Sequence, residues 1–483
     1  MDNSSAWAPS LTLMNQANIE QLHDAATTIL RTTGLNVHHA EMRCKLTDAG
    51  ARPGEGPRIY LPTDMVECAL GTAKRDIVIH NRLGEPVMPL GPHEIYFGTG
   101  SDLIYIRDIE TTERRTAVID DVGQSARLCD ALHEIDFVMS AALPHDVPGD
   151  VELWQYYALL CNTIKPIIMP IYSGLDTLEG MHAMACEVAG GDEAFRQCPN
   201  YILYGQFVSP LQHDPLAVER LIFCADHDIP LIYVPTIIPG ASGPLTLAGS
   251  LSLATAECLA GLVMHQTQHS GAPFVFGACV SQLDMHTMVF PYGSPEWRLN
   301  DLVMAELSRH YGLPVFGTGG ATDSKLVDAQ AGAEYANSLL VAALAGTNLI
   351  HDVGYLESGL TGSLESILLG AEQIRWVKQF IRGLQVADET LAIQPISEVG
   401  PGGHFLEHPH TLRNLRQTVW TPYVTDCEEY DKWMSEGGKD YATRAREYTR
   451  GLMHSHQSQA IDESVREVLI EVCNTKRVPE RKL

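Results

Sequence analysis

Short apolar segments and helix-length segments alternate along the middle of this chain, and this alternation limits the possible folds more than any other feature. The seven strand candidates are 137–142, 166–171, 201–207, 230–234, 273–278, 313–316 and 347–350. Helices fit 150–162, 175–189, 215–227, 247–269, 295–311, 328–345 and 363–381. A strand and helix pattern of this regularity predicts a parallel sheet with right-handed crossovers.

Seven such units plus one strand from the preceding region would close a TIM (β/α)8 barrel, an α/β fold. A doubly wound open sheet is the competing architecture, and it usually carries a glycine-rich phosphate-binding turn after its first strand. The sequence has neither a G-x-G-x-x-G motif in a strand-to-helix turn nor a P-loop. The absence of both motifs favours the barrel.

The regions on either side of the alternating pattern differ from it. Residues 1–75 read as an N-terminal helical segment, with helices at 14–33, 39–49 and 62–73. Short strands separated by glycine and proline turns fit 76–80, 94–97, 103–106 and 116–119. We therefore assign 76–385 to the barrel with its early hairpins, and 386–483 to a C-terminal helical extension.

The charge and the cysteines exclude several classes of protein. A formal net charge of -27 disfavours nucleic acid or an anionic membrane surface as a partner, because both need a basic face. The eleven cysteines are scattered singly, which indicates reduced thiols. We find no secretory signal and no apolar run of about 18 residues to cross a bilayer. The expected location is the cytoplasm.

Polar residues gather directly after the last predicted strands. Gly317-Thr318-Gly319-Gly320 and Asp323-Ser324-Lys325 follow one strand, and His351-Asp352 ends the next. In a barrel, such loops lie at one mouth, so residues distant in sequence converge there. Asp323-Ser324-Lys325 could clamp a substrate or form a loop salt bridge. His351-Asp352 could orient a carboxylate or act as acid or base, and a buried histidine satisfying a hydrogen bond is the alternative.

Aromatic residues in or beside the predicted strands could surround a cation at this mouth. A quaternary ammonium binds ring faces without needing a hydrogen-bond acceptor. Aromatic residues in barrel strands also commonly fill the core, so the pattern leaves both roles open. The aromatic residues near the mouth are Tyr96, Phe97, Tyr204, Phe207, Tyr233, Phe276 and Tyr355. The predicted aromatic cage consists of Tyr96, Phe97, Tyr204, Phe276 and Tyr355.

Two other features have a simpler interpretation. Glu257 lies on an apolar helix face, and we expect it to hold the loop 239–244 by accepting backbone N–H groups. The sequence has no H-x-C spacing and no paired-cysteine spacing, so we expect no protein-bound metal.

Several long stretches, in one order, resemble the trimethylamine methyltransferase family of corrinoid-dependent methyltransferases. The resemblance covers nearly the whole chain. It rests on HDAATTILRTTGLNVHHAEMRCKLTDAGA, FGTGSD, GASGPLTLAGSLSLATAECLAG, PFVFGACVSQLDMHT and TDSKLVDAQAGAEYANSLLVAALAGTNLIHDVGYLESG.

This resemblance implies a TIM barrel that presents a methyl group from a methylamine to a corrinoid (cobalamin) carried by a separate corrinoid protein. It also implies a homo-oligomer. Archaeal members contain pyrrolysine, whereas this sequence has only the standard amino acids. The chain is therefore similar to the bacterial branch that includes glycine betaine methyltransferase.

On this interpretation the substrate is a quaternary amine, with glycine betaine as the first candidate. We expect Tyr204, Phe276 and His351 to share one hollow, and His351, helped by Gln206 or Lys325, to bind the substrate carboxylate. Asp352 is the second candidate catalytic residue. Proline betaine, carnitine or trimethylamine are alternative substrates. A non-catalytic betaine-binding protein and a zinc-dependent barrel enzyme are alternatives from other classes.

Overall fold

A closed barrel of eight parallel strands forms the centre of the computed structural model, which describes residues 6–7 and 9–477. Strands β1 to β8 are Tyr96–Thr99, 137–138, Ile167–Pro170, Tyr201–Phe207, Leu231–Ile237, Phe274–Gly277, Val315–Thr318 and Leu349–Val353. Neighbouring strands pair in parallel from β3 to β8, and β8 pairs with β1. The predicted TIM barrel is confirmed.

Strand β2 closes the barrel through two single bridges. Phe137 bridges to Gly98 of β1, and Val138 bridges to Ile167 of β3. Hydrogen bonds of 3.0 Å from the Val138 N–H to the Pro166 carbonyl and 2.9 Å from the Ile168 N–H to the Val138 carbonyl hold this seam. The predicted strand 137–142 is thus mostly irregular, and Gly98 leaves room for the Phe137 ring, since a Cβ there would lie 2.2 Å from it.

Eight helices follow the strands and form the outer layer. Helices α1 to α8 are Ile119–Ala131, Val151–Asn162, Leu175–Ala189, Pro215–Asp226, Leu247–Gln268, Pro295–Tyr311, Ala329–Ala345 and Leu364–Ile381. Seven of them agree with the prediction within two residues at either end. A short helix, Asp192–Gln197, follows α3.

Helix α1 is the one that the sequence analysis missed, since we predicted a strand at 116–119. The strand ends at Thr116 and the helix begins at Ile119. The Asp121 carboxylate accepts the Val118 N–H at 2.8 Å and pairs with both Arg115 Nη atoms at 2.7 Å. An acidic side chain in the first turn stabilises a helix start, which explains why the chain turns helical here.

The barrel interior is filled in its lower part, at the N-terminal ends of the strands. A hairpin of Val78–His80 and Pro86–Pro89 lies before β1. Its apolar side chains, including Ile79 and Met88, belong to the same buried cluster as the inward residues of the strands. The hairpin therefore plugs the lower end, which leaves the chemistry to the opposite end.

A small sheet lies at the mouth, after the C-terminal ends of β1 and β8. Its strands, in spatial order, are Tyr355–Leu356, Thr361–Gly362, Tyr105–Arg107 and Arg114–Thr116. Because Tyr355 belongs to this sheet, the sheet positions one of the candidate site residues.

The N-terminal segment packs against the barrel wall. Its helices are Gln16–Thr28, Ala40–Asp48 and Thr63–Thr72, and a π-helical turn, Ile29–Thr33, directly follows the first of them. Its strands, Leu35–Val37, Arg52–Pro53 and Arg58–Tyr60, pair with one another and with Gln212–His213 from the loop after β4. Helices Gln16–Thr28 and Thr63–Thr72 both lie against α5.

The C-terminal extension is helical in its described part, and its last six residues lie outside the described residues. The helices are Asp388–Leu391, Ile393–Val399, Pro409–Thr418, Tyr430–Ser435, Tyr441–Ser455 and Glu463–Thr475. The last helix packs on α2 and α3. Leu384–Gln385 pairs with Ala6–Trp7.

Helix α5 corrects two expectations. It is long and apolar enough to span a membrane by length and hydropathy, contrary to our sequence analysis, but 78% of its most apolar window is buried inside the protein. Its Glu257 carboxylate accepts the Leu211 N–H and, at 2.8 Å, the Ser209 hydroxyl, so it holds the loop after β4 and not the loop 239–244.

Candidate active site

The upper barrel interior brings residues from β4, β7 and β8 together. The His351 ring stacks on Phe316 at 4.0 Å between centroids, and Tyr204 lies 6.2 Å from His351 and 5.2 Å from Phe316. Tyr204 points inward because it alternates with the outward residues Leu203 and Gly205 along β4. Two of the three residues that we expected in one hollow, Tyr204 and His351, therefore meet.

Four tyrosines from different loops and strands form what we term the tyrosine cluster. They are Tyr172 after β3, Tyr204 in β4, Tyr292 between β6 and α6, and Tyr355 after β8. The rings of Tyr292 and Tyr355 meet edge to face at 5.9 Å, whereas the Tyr172 side chain is 50% exposed at the edge of the cluster. Burial raises the pKa of each phenol, so all four are neutral near pH 7.

Tyr355 is held by the loop after β1. Its hydroxyl accepts the Ser101 N–H at 2.6 Å and donates to the Ser101 carbonyl at 2.5 Å. Gly100 lets the ring approach, because a Cβ there would lie 2.2 Å from it. The motif Gly98-Thr99-Gly100-Ser101 thus fixes one side of the cluster.

Tyr292 is held by Asp323. The Asp323 carboxylate accepts the N–H groups of Tyr292 and Gly293, both at 2.9 Å, and the Ser358 hydroxyl at 2.8 Å. Lys325 is exposed, and its ammonium donates to the Asp323 carbonyl at 2.8 Å. Asp323 is therefore a positioning residue, and the substrate contact expected of Lys325 stays a prediction.

His351 and Asp352 form a buried neutral pair. The His351 Nδ1 lies 2.8 Å from the Gly317 carbonyl, which can only accept, so Nδ1 carries the proton and Nε2 faces the Asp352 carboxyl at 3.2 Å. Burial lowers the pKa of His351 to about 4 and raises that of Asp352 to about 8. Asp352 is therefore protonated near pH 7, with its carboxyl oxygen 3.2 Å from Nε2. Because Nδ1 faces a carbonyl and Nε2 faces Asp352, His351 is not placed to bind a substrate carboxylate. This corrects the role that we expected for it.

Three predicted cage residues lie elsewhere. Tyr96 points into the lower barrel, where its hydroxyl donates to the Pro89 carbonyl at 3.1 Å. Phe97 faces outward below Lys378 of α8, and Phe276 packs outward on Tyr311 of α6 at 5.4 Å. These predictions were wrong because strand residues alternate between the two faces, and the register was not known.

Gln206 lies beside Tyr204. Its Nε2 donates to the Tyr204 hydroxyl at 2.5 Å and lies 3.4 Å from the Thr236 hydroxyl. Cys279 is buried next to them, and burial raises the pKa of its thiol, so it is not a thiolate. Gln206 therefore fixes the tyrosine hydroxyl on this side of the site.

Arg298 is a site residue that the sequence analysis missed. Its Nη1 pairs with Asp301 at 3.0 Å, and its Nη2 donates to the Thr318 hydroxyl at 3.2 Å. Its buried Nε has no partner among the described residues. The Arg298 charge acts on Asp352 and lowers the pKa of that carboxyl against the larger effect of burial. The spacing Arg298-x-x-Asp301 at the start of a barrel helix was the signal available in the sequence.

One group in the described residues has donor atoms close enough to hold a metal ion. His182, Cys186 and Asp192 place one donor atom each within 4.8 Å of one another. His182 lies 3.2 Å from the hydroxyl of Tyr201 at the start of β4, far from the mouth, and Asp192 pairs with Arg196 at 3.0 Å. The expectation that the chain holds no metal stays a prediction.

Comparisons with known proteins give one consistent result. Residues 3–479 match the family model described as trimethylamine methyltransferase (MTTB). Trimethylamine methyltransferase MttB of Desulfitobacterium hafniense (strain DSM 10664 / DCB-2) is 30% identical over 446 residues, which cover 92% of this chain and 90% of that protein. Glycine betaine methyltransferase of Desulfitobacterium hafniense (strain Y51) is 29% identical, with 89% of each chain covered. Among solved structures, the monomethylamine methyltransferase MtmB of Methanosarcina barkeri aligns with a TM-score of 0.49 and 10% identity, covering 94% of this chain and 90% of that one.

Proposed function

Given that this chain belongs to the trimethylamine methyltransferase family and is a methyltransferase, we propose that it removes a methyl group from a quaternary amine, with glycine betaine as the first candidate. The acceptor is the Co(I) corrinoid of a separate protein, which makes the corrinoid a substrate of this chain. The observation that carries the proposal is the aromatic lining of the mouth, where Tyr292 meets Tyr355 edge to face and Tyr204 lies against Phe316 and His351. Neutral aromatic faces attract a cation whose charge is spread over methyl groups.

The chemistry asks little of the protein beyond positioning. The nitrogen of a quaternary amine already carries the positive charge, so it leaves as a neutral amine when the methyl carbon is attacked in line. No general base is needed, which agrees with the neutral state of both His351 and Asp352 near pH 7. The task of the cluster is to fix the donor with one methyl group facing outward.

Arg298 is the residue that we propose for the carboxylate of a betaine. It replaces His351 and Lys325 in that role, because its Nε is buried without a partner and its Nη2 is bonded only to the Thr318 hydroxyl. Asp301, which pairs with Arg298, has a pKa raised to about 6 by burial. A guanidinium with free donor capacity is suited to a planar carboxylate.

Photoreduced cobalamin tests the activity directly. The protein, cobalamin and one amine at a time are mixed, with the cognate corrinoid protein added in a parallel series. We expect the Co(I) absorption to disappear with glycine betaine and not with its tertiary product, dimethylglycine. Turnover of trimethylamine alone would select the trimethylamine alternative. The absence of conversion with every quaternary amine, in the presence of the corrinoid protein, would reject the proposed reaction.

Replacing Arg298 by lysine separates betaine recognition from ammonium recognition. Lysine keeps the charge but loses the fork of donors, so we expect Arg298→Lys to weaken glycine betaine binding about tenfold in calorimetry. Binding of tetramethylammonium, which has no carboxylate, should change by less than about twofold. Arg309→Lys is the matched control, since Arg309 lies on the same helix and donates to the Ala345 carbonyl at 2.7 Å. An equal loss for both ligands would argue that Arg298 only supports the fold.

We also propose that the chain works in the cytoplasm as a homo-oligomer. The C-terminal extension supports self-association, because Ile393, Leu406 and Leu412 are 68%, 80% and 68% exposed. Apolar side chains that remain exposed in one region commonly mark a protein interface.

A further inference from the structure

A cavity of about 240 Å³ lies beside the tyrosine cluster and shares Tyr172 with it. It is formed by the loop after β1, the start of α2 and the end of β3. Its lining residues are Asp102, Leu143, Gly149, Asp150, Val151, Glu152, Gln155, Tyr172 and Ser173. A water molecule occupies about 30 Å³ in the liquid, so this cavity has room for a small organic ion.

Among the described residues, three buried acceptor oxygens of the lining side chains have no hydrogen-bond partner. They are Asp102 Oδ2, Glu152 Oε2 and Gln155 Oε1. Gln155 is completely buried, and Glu152 is 8% exposed. A buried acceptor without a donor costs free energy, so three of them in one cavity indicate a ligand that supplies donors.

The opposite atoms of the same side chains are firmly held. Glu152 Oε1 accepts the N–H groups of Tyr172 at 2.7 Å and Ser173 at 3.1 Å. Gln155 Nε2 donates to the Ala142 carbonyl at 2.7 Å and lies 3.4 Å from Asp102 Oδ1. Because both of these contacts are acceptors, the Gln155 amide cannot be turned around, and its oxygen is left without a donor among the described residues.

The charge of the cavity selects the kind of donor. In the described part of the chain neither Asp102 nor Glu152 forms an ion pair, whereas the third acid, Asp150, is neutralised by Lys476 at 2.5 Å. Two carboxyl groups and an amide oxygen, with no cation among the lining residues, match a positively charged N–H group. A quaternary ammonium has no N–H and cannot satisfy these oxygens.

We propose that this cavity binds the protonated amino group of the demethylated product, and that Asp102 supplies the proton. The inference rests on the proposed function. When the methyl carbon leaves, the C–N electron pair stays on nitrogen and a neutral tertiary amine results. That lone pair takes the proton of the Asp102 carboxylic acid, which gives an N–H ammonium beside an Asp102 carboxylate. Solvent returns the proton after the product departs.

The surroundings of Asp102 suit this role. Glu152, Tyr172 and Tyr355 are the titratable groups that face it, and none of them is a cation. Burial raises the pKa of Asp102, so this carboxyl keeps its proton to a higher pH than a free aspartate. Tyr172 lines this cavity and is the residue that it shares with the tyrosine cluster.

Trimethylammonium and tetramethylammonium form a matched pair of probes, since they differ by one N–H in place of one N–CH3. With the tyrosine cluster saturated by tetramethylammonium, we expect the wild-type protein to bind one further trimethylammonium. Calorimetry in buffers of different ionisation enthalpy should show release of up to about one proton with trimethylammonium and none with tetramethylammonium. Complete competition between the two ions, or binding without proton release, would overturn the proposal.

Asp102→Asn identifies the residue. The variant should release no proton and should bind trimethylammonium at least about tenfold more weakly, with tetramethylammonium affinity within about twofold of wild type. The retained tetramethylammonium binding shows that the variant is folded. If the variant does not fold, the wild-type competition and proton release still decide the question. Displacement of trimethylammonium by millimolar Na+ or Ca2+ would assign the cavity to an inorganic cation instead and overturn the proposal. Failure of tetramethylammonium to bind anywhere would reject the proposed function, while a separate trimethylammonium site could still be measured.

Discussion

Replacing Tyr204 by leucine should weaken binding of a quaternary ammonium about thirtyfold, because a desolvated cation–π contact is worth about 2 kcal/mol. Tyr204 is the member of the tyrosine cluster that belongs to a barrel strand, and it is 5% exposed. Its ring lies against Phe316 and His351, so no other aromatic side chain can move into its place without disturbing that stack. Calorimetry with tetramethylammonium measures the loss without interference from a carboxylate.

Two variants control this experiment. Tyr204→Phe keeps the ring face and removes only the hydroxyl that accepts from Gln206, so its affinity should stay within about threefold of wild type. Phe276→Leu removes an aromatic ring of similar burial that packs outward on Tyr311, and it should leave the affinity unchanged. Equal losses in Tyr204→Leu and Phe276→Leu would show that the effect is general destabilisation, and the aromatic site would have to be abandoned.

The fold could be predicted because the same strand and helix pattern recurs along the chain. Apolar strands and helices of regular length recur, and local caps such as Asp214 before α4 and Ser294 before α6 mark the helix starts. The exceptions are local. Strand β2 pairs through only two residues, and helix α1 begins directly after a strand, where an Asp121–Arg115 pair replaces the usual turn signal.

The site was less predictable, because its members depend on strand register and on loop conformation. Tyr204 and Phe276 look alike in the sequence, and only the register places one inside the barrel and the other against α6. Tyr292 reaches the mouth because Asp323, which is distant in sequence, holds its backbone. Arg298 and Asp102 gain their importance from unpartnered atoms in the folded protein, and no sequence pattern reports on these.

Asp352 should make the protein lose stability as the pH rises. Its folded-state pKa is raised to about 8 by burial, against about 3.9 for an unfolded aspartate. Between these values the folded state holds the additional proton, so the free energy of unfolding falls with increasing pH by up to about 1.4 kcal/mol per pH unit. This loss of stability is absent at pH values below the pKa of Asp352 in the unfolded state. It is complete above the pKa of Asp352 in the folded state.

Asp352→Asn isolates this contribution. Asparagine tolerates the left-handed backbone at this position, where φ is 81°, and it cannot titrate. Urea unfolding at a series of pH values should therefore show that the free energy of unfolding of the variant rises relative to that of the wild type from about pH 4 to about pH 8. Because His351 is present in both proteins, its own titration largely cancels in the difference.

Asp301→Asn provides the control for the pH window. Burial raises the pKa of Asp301 only to about 6. The difference in free energy of unfolding between Asp301→Asn and the wild type should therefore change with pH below about pH 6 and be constant above it. A difference for Asp352→Asn that stays flat between pH 6 and pH 8 would mean that Asp352 is ionised at neutral pH. An ionised Asp352 would place a negative charge next to Tyr355 and His351, and the site would then attract a cation by charge as well as by its aromatic faces.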